Sequence, residues 1–560
     1  MPRRFGFSGS LLLGASLLLA TSAASATTAR TILHNGKIFT SDPENLWAEA
    51  VAVRGKRVLA VGSDAEVLGL AAPKTRIIDL GGRTVVPGLN DAHVHVLAPA
   101  GSPLNSPADF VPGPGPALPE VLDLITSGAS TTPAGTWLVG FVGTAMFDDA
   151  QANRFAFDTV SPDHPVVLFA WTGHGTWLNS RAMEVLGIAE DEPDPFGGHY
   201  VRAQGSDVLT GEAHEYAEHQ IRRKLYALLS DEELVAQYRR FAGKALRLGF
   251  TSLQDMAVGL PHDRALAVLR AADLPLRVRS ICAPLSPGEG CEAGGDPGAM
   301  VRAAGIKWFT DGTPVERLAC LSGSYADRPG WSGTFNLPEE PLAAIFDQGL
   351  RGSPRRNQLL FHAVGDSAIG RILDAMEASG GPDAWLGRRT RIEHGDLLLP
   401  SDIARARELG AVVVQNPTHL GLPHVFAERF TPEILGDVEP LATLLDEGIP
   451  LAFGTDGIGD VMSPFVDLLF ATVHPTRREE ALTLEDAVIA YTRGSAYAEL
   501  EEHRKGTLAP GFFADLAVLS RDIFTAGSPE ALAATTSELT MVGGEIVWDS
   551  GALAPGGEAR

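Results

Sequence analysis

The sequence predicts an α/β fold: a TIM (β/α)8 barrel with a small β-sandwich domain built from both termini and a long insertion after barrel strand 1. Three observations carry this. Eight apolar runs ending in polar residues recur through the middle of the chain, with helical patterns between most of them. Short strand-like runs separated by glycine turns occupy both ends. His, Lys and Asp residues sit at or near the ends of five of the eight runs, where a barrel presents its working face. The same alternation would also suit a doubly wound open sheet, but eight repeats favour closure.

At the N-terminus, Arg3 and Arg4 precede an apolar run over 11–20 and the small residues Ala24-Ser25-Ala26. This is the pattern of a signal peptide over 1–26, and it predicts an exported chain, periplasmic or secreted. The run is shorter than the roughly 20 apolar residues a membrane helix needs, so no span is expected after cleavage. Arg3-Arg4 with Phe5 and Phe7 also resembles a twin-arginine signal, a route suited to proteins that fold before export.

Runs over 32–39, 50–61 and 76–86, and again over 514–519 and 539–548, read as strands. They define a composite sandwich over 30–86 and 503–552. The barrel, 87–502, has strands expected at 85–95, 250–255, 276–282, 306–311, 359–362, 391–394, 412–416 and 451–456. Residues 97–229 break the alternation and are expected to form an insertion covering the barrel mouth, with one strand-like run at 166–171. The clearest helix, 231–248, opens on Ser230 and Glu233 spaced as a capping box and stops at Gly249. Its residues Leu234, Tyr238, Phe241 and Ala245 share one face. Of three cysteines, Cys282 and Cys291 flank a Pro/Gly-rich loop; their spacing leaves both a disulfide and three free thiols open.

Composition narrows the partners. The chain has 560 residues and a formal net charge of −24. Nucleic acid and anionic lipid both need a basic surface, so neither is expected as a partner. A small-molecule substrate is expected, and a second copy of the chain is left open.

The residues at the strand ends suggest the chemistry. His93 and His95 lie two apart at the end of the first strand, so their side chains share a face. His362 ends the fifth, His394 the sixth and Asp456 the eighth. Each alone is ordinary; imidazoles and a carboxylate converging from several strand ends make a transition-metal site. Lys307 lies inside the apolar fourth strand, where an ammonium is costly to bury. A desolvated amine there can react with carbon dioxide to give a carbamate able to bridge two metals.

This set of residues resembles the metal-dependent amidohydrolase superfamily, and within it the amidohydrolase-3, YtcJ-like branch. The resemblance covers nearly all of the chain after the leader. It rests on Val86-Pro87-Gly88-Leu89-Asn90-Asp91-Ala92-His93-Val94-His95, in which Asn90 replaces the more usual isoleucine. It rests also on Gly173-His174 with Trp177-Leu178-Asn179-Ser180, on Gly211-Glu212, on Gly249-Phe250-Thr251-Ser252, and on Lys505-Gly506-Thr507-Leu508 through Asp515-Leu516-Ala517-Val518-Leu519. The resemblance implies a hydrolase that cleaves a non-peptide or small-peptide C–N bond with metal-activated hydroxide. His93, His95 and Asp456 would hold one metal, His362 and His394 the other, and carboxylated Lys307 would bridge them. Two divalent ions are implied, zinc first, with manganese or iron as alternatives. Asp456 would act as general base and then general acid. His174, Asn416, His419 and Trp308 are the expected substrate contacts, with Trp331 as a further pocket wall and Asp366 as a residue orienting a ligand.

Two other readings stand beside this one. A mononuclear deaminase of the same fold generally lacks the lysine and carries a glutamate soon after the strand-five histidine; here His362 is followed by Ala363-Val364-Gly365-Asp366. An exported, non-catalytic binding protein would be free to lose ligands, and this chain has kept the set.

Overall fold

The computed structural model describes residues 28–98, 101–105, 115–291, 294–296, 298–459, 462–525 and 527–553; the leader expected over 1–26 lies outside them. Eight strands build the barrel: β1 (Leu89–Val94), β2 (Phe250–Ala257), β3 (Arg277–Cys282), β4 (Val301–Phe309), β5 (Leu359–Ala363), β6 (Arg391–His394), β7 (Val412–Gln415) and β8 (Leu451–Phe453). Each coincides with one of the eight apolar runs. Neighbours pair in parallel from β1 round to β8. The loop after β8 then closes the ring. The Asp456 amide donates to the His93 carbonyl at 2.9 Å, and the His95 amide to the Gly457 carbonyl at 2.9 Å.

The run expected as one strand over 85–95 is two. Thr84–Pro87 belongs to the sandwich, where Val85 faces Val518 and Ile38. The chain then passes Gly88 into β1. A Cβ at Gly88 would lie 2.1 Å from Thr251 Oγ1, so only glycine lets the strand cross from one sheet to the other here. An apolar run has no period that marks such a crossing, because both halves are buried.

The sandwich has two sheets. One orders Glu545–Asp549, Ser537–Val542, Leu516–Leu519, Thr84–Pro87, Lys37–Phe39 and Trp47–Ala48; the other orders Arg57–Gly62, Ala50–Arg54, Thr31–His34 and Arg76–Asp79. Leu33, Val51, Val53, Ile78, Val85, Leu516, Val518 and Met541 form its core. Arg277, from β3, reaches out of the barrel to Asp515 at 2.8 Å and lies 3.9 Å over the Phe513 ring.

The insertion is itself an α/β unit. Its sheet orders Gly198–Arg202, Leu209–Glu215, Gly175–Leu178, Val166–Ala170, Leu138–Val142 and Ser102–Pro103, flanked by helices that include Leu118–Thr131 and Ser180–Leu186. The sequence pattern showed only its central strand. The insertion ends in helix α1 (Tyr216–Tyr226), followed by helix α2 (Asp231–Arg247). The α2 capping box forms: Ser230 Oγ accepts from the Glu233 amide at 3.2 Å, and Glu233 Oε2 from the Ser230 amide at 2.8 Å.

The lower end of the barrel is plugged by the segment that follows its last helix. Glu499 takes Lys505 at 2.5 Å, Arg302 at 2.8 Å and Asn90 Nδ2 at 2.8 Å. That last bond is the use of a polar residue at position 90. Cys282 and Cys291 are joined, with Cα atoms 5.8 Å apart, and Cys320 is free and buried. Among the described residues no helix is long and apolar enough to cross a membrane.

Candidate metal centre

The C-terminal ends of the strands bring five of the six expected ligands to a common mouth, around a buried lysine. His93 Nε2 and His95 Nε2 each lie 3.4 Å from Asp456 Oδ1. The donor atoms of these three residues all fall within 4.8 Å of one another. The rings of His93 and His394 are 4.8 Å apart, and those of His394 and His362 are 4.5 Å apart. His362 stands in this row, with Nε2 3.3 Å from the Gly312 carbonyl. Burial pushes the His362 and His394 imidazoles well below their ordinary pKa, and His93 to about 4, so all three are held neutral, as metal ligands must be.

Two of the candidate ligands, His93 and His394, are aimed by a second side chain, and the loop of a third, Asp456, is pinned. Glu393 Oε2 lies 2.6 Å from His93 Nδ1. A carboxylate can only accept, so Nδ1 carries the proton and Nε2 turns its lone pair to the mouth. Glu393 is also held by Arg391 through two bonds of 2.6 and 2.8 Å. Although burial opposes its charge, Arg391 and His93 keep the Glu393 carboxyl well below the usual range. Asn416 Oδ1 faces His394 Nδ1 at 2.9 Å, while its Nδ2 donates to the Gly454 carbonyl at 2.7 Å. Asp91 accepts from the Thr455 amide at 2.9 Å and the Thr455 hydroxyl at 2.6 Å, pinning β1 to the loop that carries Asp456. Gly454 permits this approach, because a Cβ there would lie 2.4 Å from the His93 amide nitrogen. Asp456 and His394 both take left-handed backbone conformations, at φ 48° and 70°.

Lys307 projects from β4 with no exposed surface, and its Nζ has no hydrogen-bond partner. Burial brings its amine down to about 8, against the pull of Glu393 and Asp456. An unpartnered buried amine, with charged groups of the centre in electrostatic reach, fits a position meant to carry an added group. The converging donors around Asp456 fit a cation in the same way.

The expected substrate contacts divide. His174, from the insertion, stands with its ring 4.3 Å from that of His362. Its Nδ1 meets Glu215 at 3.1 Å. Burial drives His174 down to about 4 and Glu215 well up, so the two form a neutral pair. His419 lies between two carboxylates, with Nδ1 3.1 Å from Asp396 and Nε2 3.7 Å from Asp456. Asn416 does not face the mouth: it is fully buried behind His394 and spends both ends of its amide there. Trp308 is also turned away. Strand alternation puts it on the face opposite Lys307, in the core, 6.4 Å from the Phe196 ring. Trp331 donates to the Arg317 carbonyl at 2.7 Å, and Asp366 accepts from the Ser322 amide at 3.0 Å. The carboxylate beside His362 is Asp311, at 3.8 Å.

Residues of the site that escaped sequence reasoning include Glu393, Glu215, Asp311, Asp396 and His219. His219 is 2% exposed, its Nδ1 meets Glu218 at 2.6 Å, and its Nε2 has no partner. Its ring is 4.2 Å from Phe309 and 6.2 Å from His174. The one usable signal was Glu393, a charged residue next to a strand-end histidine.

A parallel barrel whose mouth gathers histidines from separate strands around one aspartate is the framework of a metal-dependent hydrolase. The Amidohydrolase family model, of the amidohydrolase-3 type, matches residues 76–548, and the chain belongs to that family. The chain is 27% identical over 522 residues to the N-substituted formamide deformylase of Arthrobacter pascens, covering 87% of this chain and 93% of that one. It is 25% identical over 541 residues to the putative amidohydrolase YtcJ of Bacillus subtilis (strain 168), covering 93% and 99%. Among solved structures it is similar to an uncharacterized metal-dependent hydrolase from Pyrococcus furiosus, with TM-score 0.66 and 25% identity over 88% of this chain and 99% of that one.

Proposed function

We propose that this hydrolase cleaves the C–N bond of a small amide, non-peptide or short-peptide, at a two-metal centre in the barrel mouth. The observation that carries the reading is the convergence of His93, His95 and Asp456 within 4.8 Å beside the unpartnered amine of Lys307. The similarity to a formamide deformylase supports an amide as the substrate class.

In this reading His93, His95 and Asp456 hold one ion, His362 and His394 the other, and carboxylated Lys307 serves both. Zinc is the expected ion, and manganese or iron would also suit imidazole and carboxylate ligands. When bound, such a pair supplies Lewis acidity, lowering the pKa of water and polarising a carbonyl. The protein's own residues do the rest. Asp456 accepts a proton from the attacking water and returns it to the leaving nitrogen. Its carboxylate enters the reaction ionised: burial opposes its charge, but the imidazoles around it, with hydrogen bonds from His419 and His95, hold it well below its usual pKa. Glu393 and Asn416 fix the tautomers of His93 and His394. His174 and His419 reach the mouth from outside the ligand set and are placed to orient the substrate.

Export is also proposed, on the leader pattern and on the Cys282–Cys291 disulfide, a bond that persists in oxidising compartments. The test of the centre is Lys307→Ala, purified with and without added bicarbonate. Metal content and amide turnover should both fall, and bicarbonate should raise them only in the unmodified chain. Full metal content and turnover in Lys307→Ala would remove the carbamate from the mechanism.

A further inference from the structure

Glu439 is fully buried, and neither of its carboxylate oxygens has a hydrogen-bond donor. It lies between β7 and β8, just before the helix Leu441–Asp446, at φ 46°, with its amide donating to the Asp396 carbonyl at 2.7 Å. A carboxylate, a second carboxylate and an imidazole meet there: donor atoms of Glu439, Asp396 and His419 all lie within 4.8 Å of one another. Asp467, the next acidic neighbour, is already engaged, accepting from the Thr418 amide at 3.1 Å and from the Tyr491 hydroxyl. Burying two carboxylates side by side is costly unless something positive lies between them. The imidazole beside them, His419, also faces Asp456 with its other nitrogen, at 3.7 Å.

We infer that Asp396, His419 and Glu439 form a separate site for a divalent cation, behind the proposed two-metal centre and linked to it by His419. Two carboxylate oxygens and one imidazole nitrogen suit a borderline ion such as zinc or manganese. Asp396 already lies 3.1 Å from His419 Nδ1, a spacing two ligands of one ion can keep. Glu439 would then have the partner that no protein group gives it. His419 is the side of the site that opens towards the barrel mouth, with 22% of its side chain exposed, against 3% for Asp396.

The site has a consequence for the mouth. An ion on Nδ1 requires that nitrogen to be deprotonated, which leaves the proton on Nε2. His419 is then fixed as a donor towards Asp456 Oδ2, 3.7 Å away. This link rests on the hydrolase reading of Asp456; the cation site itself does not.

The alternative partner for Glu439 is a proton, and Glu439→Gln separates the two, since glutamine copies the shape of the protonated acid. Crystals of the mature chain grown with zinc chloride, and separately with manganese chloride, would be measured by anomalous diffraction at each metal edge. A peak is expected among Asp396, His419 and Glu439 in the unmodified chain with at least one of these ions. It should vanish in Glu439→Gln while peaks beside His93, His95 and Asp456 remain. No peak at this site while the centre is loaded would overturn the inference and leave Glu439 protonated. A peak that survives Glu439→Gln would overturn the ligand assignment. A peak here with an empty centre would keep this site and sink the two-metal reading, and empty positions at both would sink both.

Discussion

Asp456 and His394 stand in backbone conformations that residues other than glycine seldom adopt. Each costs on the order of 1–3 kcal/mol and persists only where surrounding structure enforces it. The enforcing contacts are visible: the Asp456 amide on the His93 carbonyl, and, just past His394, the Gly395 amide on the Ala363 carbonyl at 3.0 Å. Asp456→Asn keeps these backbone contacts. It should therefore lose nearly all turnover while circular dichroism and Tm stay close to the unmodified chain; ordinary kcat with normal metal content would remove Asp456 from the reaction. Glu393→Gln is a different kind of change. It leaves the buried Arg391 guanidinium without its counter-charge, at a cost of about 3–5 kcal/mol in urea unfolding. It also unfixes His93, which should weaken metal binding roughly 10–100-fold in a chelator competition. Unchanged stability and affinity would show that Glu393 is a bystander. The candidate ligands stood out because a histidine or aspartate ending an apolar strand is conspicuous along the chain. Their partners were not, because Glu393 meets His93 from a strand about 300 residues away, a pairing only the closed barrel creates.

At the scale of elements, the barrel strands could be read because most are short, buried runs rich in apolar residues. Two features hid. Gly88 carries the chain between two sheets without breaking the apolar run. Gly88→Ala should cost about 1–3 kcal/mol, read as a lowered Tm, since the added carbon would overlap Thr251. A neutral effect would mean that β1 and β2 can separate without loss. The insertion hid for another reason: its strands are short, several are broken by glycine, and its apolar residues are shared between two cores of its own. Its role in the site is carried by the strand ends and by α1, which bring His174 and His219 to Phe309 and His362. His174→Ala should leave metal content unchanged and lower kcat/KM by roughly 10-fold or more, the signature of a lost substrate contact. An unaltered kcat/KM would make His174 a packing residue.

Across the whole molecule, sandwich and barrel are joined by charged groups beneath the barrel as well as by apolar packing. Arg277 with Asp515 makes one such link, and Glu499 centres another, which holds the segment after the last barrel helix. Burial opposes its charge, but Lys505 and Arg302 bring its carboxyl from the usual 4.5 down to about 2. Between those values the unfolded chain binds the extra proton, so stability rises with pH across that window. The contribution is complete above about 4.5 and is lost as pH falls towards 2. Glu499→Gln should remove this part of the acid sensitivity and weaken the protein at neutral pH, both read from Tm against pH; parallel curves for the two chains would place the acid sensitivity elsewhere. The proposed metal centre lies at the other end of the barrel. Its most direct test is turnover of an amide panel, N-substituted formamides included, before and after metal is stripped and then restored as zinc or manganese. Activity should disappear with the metal and return with it. Turnover persisting in a chain shown by elemental analysis to be metal-free, or a fully loaded chain that cleaves no amide of the panel, would contradict the proposed function.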